Sequence, residues 1–217
     1  MNTAIKIKVV SDLGTVTCRK LINEAFEQFD TVVRKLSRFD PNRELSQLNR
    51  NQEKDYPVSK ELFYLVNKGI EAANISNGSF DPTIIDILET YGYDSRKDFS
   101  KLDDVLKVNK EIDWLIKTRH SYKEIVMNEK DLTIRLQRRQ RIDLGGVGKG
   151  YAIDLAAKVL ANTKNFMINA GGDTYAKGHD ESNNKWSVGL TTPNTTDAIF
   201  GKVELDGYSL ACSGSWA

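Results

Sequence analysis

Residues 141–154 contain four glycines within six positions, and this stretch restricts the fold more than any other part of the sequence. Ile142 and Leu144 predict a short apolar strand before the glycines, and the residues that follow have helical spacing. Glycine lacks a Cβ atom, so the backbone can adopt a positive φ and lie close to a ligand. Lys149 adds positive charge to the N-terminus of the predicted helix. The stretch therefore predicts a strand–turn–helix unit that binds an anion, most naturally a phosphate, beside Asp143.

The two common phosphate-binding loops do not fit this stretch. A Walker A loop would need glycine at Asp143 and a hydroxyl residue at Gly150. In the dinucleotide pattern G-x-G-x-x-G, the third glycine position is occupied by Tyr151. A glycine-rich turn without any ligand therefore remains an alternative interpretation.

Composition excludes several classes of function. The 31 basic and 30 acidic residues leave a net charge of +1, so no overall field attracts nucleic acid or an anionic membrane. The short basic cluster Arg138-Arg139-Gln140-Arg141 is interpreted as a solvated strand end. No apolar run is long enough to span a membrane, and the first residues lack a signal-peptide core. We expect a cytoplasmic protein; the alternative is an exported lipoprotein whose leader precedes this numbering.

Hydrophobic periodicity predicts a mixed architecture. Apolar residues alternate with lysines over residues 5–9, which indicates an opening strand with one exposed face. A long amphipathic helix is expected over residues 21–36, ended by Pro41, and a second begins near Ser59. Residues 49–56 are predicted to form a polar connector.

The remaining expected elements are strands, a loop and an irregular or helical region. Asp206-Gly207 predicts a hairpin between the last two strands. Tyr91, Tyr93 and Trp114 are expected to be packing residues within the helical or irregular region 84–120. The structured loop is 77–83, and the strands are 125–127, 132–136, 166–168, 186–190, 200–205 and 208–212. Because strands and helices do not alternate strictly, the fold class is α+β with largely antiparallel sheets.

Several separated motifs together resemble the ApbE family, the FAD:protein FMN transferases. They are Ser37-Arg-Phe39, Glu44-Leu-x-x-Leu-Asn49, Asn77-Gly-Ser-Phe-Asp-Pro-Thr83, the stretch from Asp143 to Asp154, Asn169-Ala-Gly-Gly-Asp173 and Ala211-Cys-Ser-Gly214. Their order and spacing extend over nearly the whole chain. The resemblance implies one domain over residues 1–217, built from two intimately associated subdomains and incomplete at its C-terminal end relative to the family.

The resemblance also implies the chemistry. FAD would bind with Mg²⁺, and a Thr or Ser hydroxyl of an acceptor flavoprotein would attack the FMN-side phosphorus and release AMP. A hard cation with oxygen ligands neutralises the charge of the pyrophosphate in such a reaction. Gly146 matches the residue whose backbone carbonyl reaches the metal. The residues that match FAD-contacting positions are Met1, Phe39, Ser79, Phe80, Asp81, Asp143 and Lys149; Asn49 and Asp173 are added to this set.

Each of these residues also has a structural interpretation. Phe39 and Phe80 could be core aromatics, Asp81 could cap the turn before Pro82 and Asn49 could cap a helix. Asp173 could be a turn residue, and Asp143 with Lys149 could form a surface ion pair.

The chain departs from the family pattern at its end. The family continues with a Ser-His-x-x-Asp-Pro-x-Thr-Gly segment that supplies a His and further metal ligands, whereas this sequence stops at Trp216-Ala217. His120 and His179 match neither the motif nor its position, so no catalytic residue is assigned. The alternative functions are a non-catalytic FAD-binding module, or an FAD pyrophosphatase that yields FMN and AMP.

Overall fold

A computed structural model of the chain describes residues 3–93, 105–192 and 195–212. The chain divides into two compact units. Unit 1 comprises Met1–Val32 and Lys149–Ala217, and unit 2 comprises Val33–Gly148. The two boundaries fall inside the helices Thr15–Leu36 and Gly145–Val159.

The described residues form six α-helices and nine β-strands, and every strand pairing is antiparallel. The α+β fold class with antiparallel sheets is therefore confirmed. The helices are α1 Thr15–Leu36, α2 Glu44–Arg50, α3 Lys60–Ile75, α4 Ile85–Thr90, α5 Val105–Thr118 and α6 Gly145–Val159. The strands are β1 Ile5–Val10, β2 Tyr56–Pro57, β3 Val126–Asn128, β4 Thr133–Arg135, β5 Asn165–Ala170, β6 Asp173–Lys177, β7 Trp186–Thr192, β8 Thr195–Leu205 and β9 Tyr208–Leu210.

Unit 1 contains a four-stranded sheet in the order β1-β5-β6-β9. Strand β1 exposes Lys6 and Lys8, which confirms the predicted alternation of its two faces. Its neighbour β5 buries every second residue, because alternate side chains of a strand point to opposite faces. Gly171 and Gly172, with φ of 63° and 99°, form the two-residue turn between β5 and β6. Positive φ at both positions is the geometry that tight hairpins require.

Strands β7 and β8 form a second, two-stranded sheet in unit 1. The predicted hairpin between β8 and β9 is wrong, because β9 pairs with β6. Asp206 and Gly207 do form a tight turn, in which Gly207 has a φ of 75°. The Gly207 N–H donates to the carbonyl of Ala176 at 2.8 Å, and an Asp206 carboxylate oxygen accepts from the N–H of Gly178 at 2.8 Å. These bonds fix the turn to β6 and carry the chain from one sheet to the other.

Unit 2 combines the sheet β2-β4-β3 with α2, α3, α4 and α5. The predicted hairpin of β3 with β4 is confirmed by their antiparallel register. Helix α3 begins where predicted, because the Ser59 hydroxyl accepts a hydrogen bond from the Leu62 N–H at 3.2 Å. The polar connector prediction is wrong in part, since residues 49 and 50 belong to α2.

Two other expectations in this region are corrected. Helix α1 ends at Leu36, before Pro41, so proline is not the residue that stops it. Tyr91, Tyr93 and Trp114 are exposed by 44%, 51% and 54%, so they are not packing residues. Residues 94–104 of the predicted helical or irregular region lie outside the described residues.

The glycine-rich stretch differs most from its prediction. Ile142 and Leu144 are buried but belong to no strand, and helix α6 already begins at Gly145. None of the four glycines between residues 145 and 150 has a positive φ. The glycines therefore form the first turns of a helix, and the predicted turn with positive φ is wrong.

Within the described part of the chain, no helix is both long enough and apolar enough to cross a membrane.

Candidate functional site

Three chain segments of unit 2 meet around Asp143. They are residues 37–39 after α1, the loop 79–83 after α3, and residues 141–146 at the start of α6. The N–H of Asp143 donates to the carbonyl of Pro82 at 2.8 Å, which joins the second segment to the third. The first segment is fixed by α2, where the Ser46 hydroxyl donates to the carbonyl of Ser37 at 3.2 Å.

Asp143 is held by two donors. One carboxylate oxygen accepts from the N–H of Gly145 at 2.8 Å, and the other accepts from Nε of Arg38 at 2.7 Å. The first bond satisfies one of the free N–H groups at the start of α6 and places a negative charge where the helix dipole favours it. The side chain is 22% exposed, so water or a ligand can still reach it.

Arg38 organises this group of residues, and sequence analysis did not single it out. Its side chain is 6% exposed and also donates to Glu89 at 3.3 Å and to the carbonyl of Tyr93 at 2.6 Å. Its guanidinium lies 4.3 Å from the ring centroid of Phe39, within the range of a cation–π interaction. The signal was present in the motif Ser37-Arg-Phe39, whose middle residue is a planar cation next to the candidate aromatic.

Arg141 forms a second arginine–carboxylate group beside the first. Its guanidinium donates to Asp86 and, at 2.7 Å, to Glu89, which therefore connects Arg141 with Arg38. Burial lowers the pKa of the Arg141 guanidinium, but hydrogen bonds to Glu89 and Asp86 outweigh it, and the pKa is raised above its usual value. Arg141 therefore stays charged at any physiological pH.

A cavity of about 260 Å³ opens beside these residues. Its walls include three arginines and the ring of Phe39, which is 48% exposed and is not a core residue. The lining residues are Arg38, Phe39, Pro41, Ser46, Asn49, Arg50, Ile85, Glu89 and Arg141. Arg38 and Arg141 are already paired with carboxylates, and Glu89 is also a lining residue. The cation that remains, Arg50, and the accessible ring of Phe39 suit a ligand with an anionic group and a planar ring.

Asn49 connects α2 with the segment that carries Asp143. Its carboxamide donates to the carbonyl of Ile142 at 2.9 Å and accepts from the N–H of the same residue at 2.8 Å. Ile142 is fully buried and belongs to no strand, so its backbone groups need these partners. Asn49 is thus not a simple helix cap in this structure; it fixes the residue that precedes Asp143.

Phe80 packs directly against the first turn of α6. A Cβ atom added to Gly146 would lie 2.6 Å from Cε2 of the Phe80 ring, a distance that only glycine avoids. Ser79, the preceding candidate, is exposed. The glycine of this turn is therefore explained by the close approach of an aromatic ring rather than by an unusual backbone angle.

We predict that Gly146→Ala forces the Phe80 ring to move. Alanine normally stabilises a helix by about 0.5–1 kcal/mol relative to glycine, but overpacking costs about 1–3 kcal/mol. Gly150→Ala is the matched control, because its added methyl group would meet no atom within 4 Å. In urea unfolding, Gly150→Ala should be at least as stable as the wild type and Gly146→Ala less stable. Equal gains in both variants would contradict the packing of Phe80 on Gly146.

Asp81 is buried, with a side chain that is 5% exposed. One carboxylate oxygen accepts from the N–H and the hydroxyl of Thr83 at 2.8 and 2.6 Å, as in a turn cap. The other accepts from Arg119 at 2.8 Å. These contacts agree with the interpretation of Asp81 as a turn-capping residue.

In unit 1, Lys149 forms an ion pair with Asp173 at 2.8 Å. Lys149 lies in α6, and Asp173 is the first residue of β6, directly after the Gly171-Gly172 turn. Asp173 is thus a strand residue at the end of the turn, and its carboxylate is 20% exposed. Asp143 pairs with Arg38, and Lys149 pairs with Asp173. The alternative interpretation, an ion pair between Asp143 and Lys149, is therefore not required. Met1 lies outside the described residues.

Comparison with known proteins decides the family. The sequence profile of the ApbE family matches residues 1–217. The chain belongs to the ApbE family. Curated relatives named FAD:protein FMN transferase include one from Haemophilus influenzae, 22% identical over 229 residues, which cover 100% of this chain and 64% of the relative. Another, from Chlamydia trachomatis, is 26% identical and covers 86% of this chain and 56% of the relative.

Solved ApbE structures have the same fold. The ApbE protein of Thermotoga maritima matches with a TM-score of 0.82 at 22% identity. The match covers 98% of this chain and 70% of the Thermotoga maritima chain. The flavin transferase ApbE of Vibrio cholerae matches with a TM-score of 0.82 at 19% identity. The match covers 100% of this chain and 69% of the Vibrio cholerae chain. The chain spans 64% of the length of the Haemophilus influenzae and Vibrio cholerae curated relatives.

The ApbE resemblance implies Mg²⁺, but the described residues do not by themselves form a site for it. They contain no group of three or more His, Cys, Asp or Glu side chains that could hold a metal ion. Gly146 lies in the first turn of α6, where carbonyl groups accept hydrogen bonds within the helix. Since Mg²⁺ prefers octahedral oxygen coordination, the Gly146 carbonyl alone does not form a site.

Proposed function

We propose that the chain binds FAD and acts as an FAD:protein FMN transferase. One observation carries the proposal: the chain matches the ApbE family over its full length, and its curated relatives bear that name. In the proposed reaction, a Thr or Ser hydroxyl of an acceptor flavoprotein attacks the FMN-side phosphorus of FAD. The new oxygen–phosphorus bond forms as the pyrophosphate bridge breaks, AMP leaves, and the hydroxyl proton passes to solvent.

The proposal gives each candidate residue a role within its own unit. In unit 2, Phe39 and Phe80 offer aromatic faces, Ser79 and Asp81 belong to the loop beside them, and Asn49 fixes the segment of Asp143. In unit 1, Lys149 offers a cation for a phosphate oxygen, and Asp173 keeps that cation in place when no ligand is bound. Met1 and the Gly146 carbonyl complete the proposed set. Mg²⁺, if bound, would neutralise charge on the pyrophosphate.

Binding of FAD without transfer is the second candidate, and one observation favours it. Neither histidine belongs to the motifs that contain the candidate residues: the His120 ring contacts a Glu124 carboxylate oxygen at 2.6 Å, and His179 lies in an isolated backbone β-bridge with Lys185. No general base is therefore assigned among the described residues, and such a base typically contributes about 10²–10⁴ in rate. Hydrolysis of FAD to FMN and AMP, with water in place of the acceptor, is the third candidate.

A single assay separates the three candidates. The chain is incubated with FAD, Mg²⁺ and an acceptor flavoprotein domain that carries a Thr acceptor, and the same domain with Thr changed to Ala is the control. Transfer predicts a fluorescent acceptor band and AMP with the Thr domain only. FMN and AMP from both domains would indicate hydrolysis. Tight FAD binding without AMP would indicate a binding module and overturn the transferase proposal.

A further inference from the structure

A second cavity of about 410 Å³ lies in unit 2, and it shares no lining residue with the cavity beside Asp143. Its volume is within the range typical of small-molecule sites, roughly 300–1,000 Å³. Its walls include Asp86, Trp114, Arg119, His120, Arg138 and Arg139. Two of these, Arg138 and Arg139, belong to the basic cluster that the sequence analysis interpreted as a solvated strand end.

The turn that carries the two arginines is held by hydrogen bonds of Gln140, which is 2% exposed. The Gln140 N–H donates to the carbonyl of Gln137 at 2.9 Å, and the Gln140 side chain accepts from the N–H of Gln137 at 2.9 Å. The same side chain donates to the carbonyl of Ser121 at 2.7 Å. A buried polar residue with all these partners makes the turn rigid.

Arg139 itself is held in an unusual backbone conformation. Its φ is 63°, and its N–H donates to the side chain of Gln52 at 2.7 Å. Non-glycine residues rarely adopt a positive φ, and such positions often mark functional sites. The fixed turn presents both arginines at the cavity with little further loss of conformational entropy on binding.

The charges around the cavity favour an anion. Asp86 is the one carboxylate among its lining residues, and it is already paired with Arg141. Arg138 and Arg139 make no ion pair within the described part of the chain. Nε of Arg119 is buried without a hydrogen-bond acceptor, and Nη1 of the same guanidinium donates to Asp81 and Thr83. Phosphate oxygens are the natural partners of such guanidinium groups.

An aromatic surface completes the cavity. Trp114, on α5, is 54% exposed at the wall, and indole is the strongest stacking partner among side chains. We propose that this cavity binds a small ligand that joins an aromatic ring to a phosphate, with the phosphate on Arg138 and Arg139 and the ring on Trp114. Because Arg119 also holds Asp81, occupancy of the cavity is placed to influence the loop beside Asp143.

Calorimetric titration with AMP and with FMN tests the proposal on the full chain. FAD is left out, because it carries the same ring and phosphate chemistry and would compete for the cavity; the variants below separate binding at the cavity from binding at the proposed flavin site. Inorganic phosphate and adenosine are titrated separately to measure the contribution of each half of the ligand. Comparison of AMP with FMN shows whether the cavity prefers an adenine or a flavin ring beside the phosphate.

The variants are Arg138→Gln/Arg139→Gln, Trp114→Ala and, as a control, Arg135→Gln, whose guanidinium is exposed and paired with Asp55. We expect the double variant to bind the preferred nucleotide at least tenfold more weakly and the control to bind it as the wild type does. Trp114→Ala should weaken the nucleotide but leave inorganic phosphate unchanged. No binding of either nucleotide at about 1 mM, or equal affinity in all the variants, would overturn the proposal. If this test fails, the proposal that the chain binds FAD still stands, because FAD binding is measured separately.

Discussion

Arg119→Leu is expected to lower the free energy of unfolding by about 1.5–3 kcal/mol, the range for a hydrogen bond to a charged group in a partly buried pair. The carboxylate of Asp81 is 5% exposed and the Arg119 side chain 24%, so the pair is partly buried and its loss is only partly compensated by water. Thr83 would still donate to one carboxylate oxygen, but the other would lose its only described donor. Urea unfolding of the wild type and the variant measures the difference.

Arg135→Leu is the matched control for this prediction. Arg135 makes a two-bond pair with Asp55 at 2.8 and 2.9 Å, but the two side chains are 45% and 55% exposed. An exposed pair contributes about 0–1 kcal/mol, so this variant should be almost as stable as the wild type. Asp81→Asn combined with Arg119→Leu should recover part of the loss. Equal, small losses in both arginine variants would show that the Asp81 ion pair does not hold the loop.

The expected effect reaches beyond stability because of the position of Asp81. The next residue, Pro82, accepts the hydrogen bond from the N–H of Asp143. A loosened loop would therefore release the backbone of the residue on which the proposed flavin site depends. Arg119→Leu is thus expected to weaken FAD binding as well, even though Arg119 lies on the wall of the second cavity.

Local patterns in the sequence predicted those elements whose stabilisation is local. The alternation of apolar residues and lysines over residues 5–9 predicted β1 correctly, because one face of that strand is partly buried and the other is exposed. Ser59 marked the start of α3, because its hydroxyl caps a helix N–H three residues later. The β3–β4 hairpin was also predicted, since two short apolar runs flank a polar turn.

The wrong predictions concern choices that tertiary contacts decide. Asp206-Gly207 indicated a tight turn correctly, but the pattern does not say which strands pair. In the structure, β9 pairs with the edge of β6. The glycines of α6 suggested a positive φ, whereas Gly146 is required by the ring of Phe80, 66 positions earlier in the chain. No spacing rule in a single sequence connects those two residues.

The candidate site was predicted as a set of residues but not as a network. The motif comparison selected Asp143, Phe39 and Asn49, whereas the structure adds Arg38 as the donor that connects the first two. It also shows that Asn49 pairs with the backbone of Ile142 across 93 positions. Hydrogen bonds over such separations depend on the fold and leave no local pattern in the sequence.

The central claim is that Asp143 and Lys149 are needed to bind FAD, and the most direct measurement is the FAD dissociation constant of single variants at each position. Loss of a charge-assisted contact costs about 1.5–3 kcal/mol, so Asp143→Asn and Lys149→Ala should each weaken FAD binding about 10–100-fold. The controls are Asp113→Asn on α5 and Lys158→Ala on α6, both exposed, and they should bind FAD as the wild type does. Urea unfolding must show that all four variants are folded. Folded Asp143→Asn and Lys149→Ala variants with unchanged FAD affinity would contradict the account.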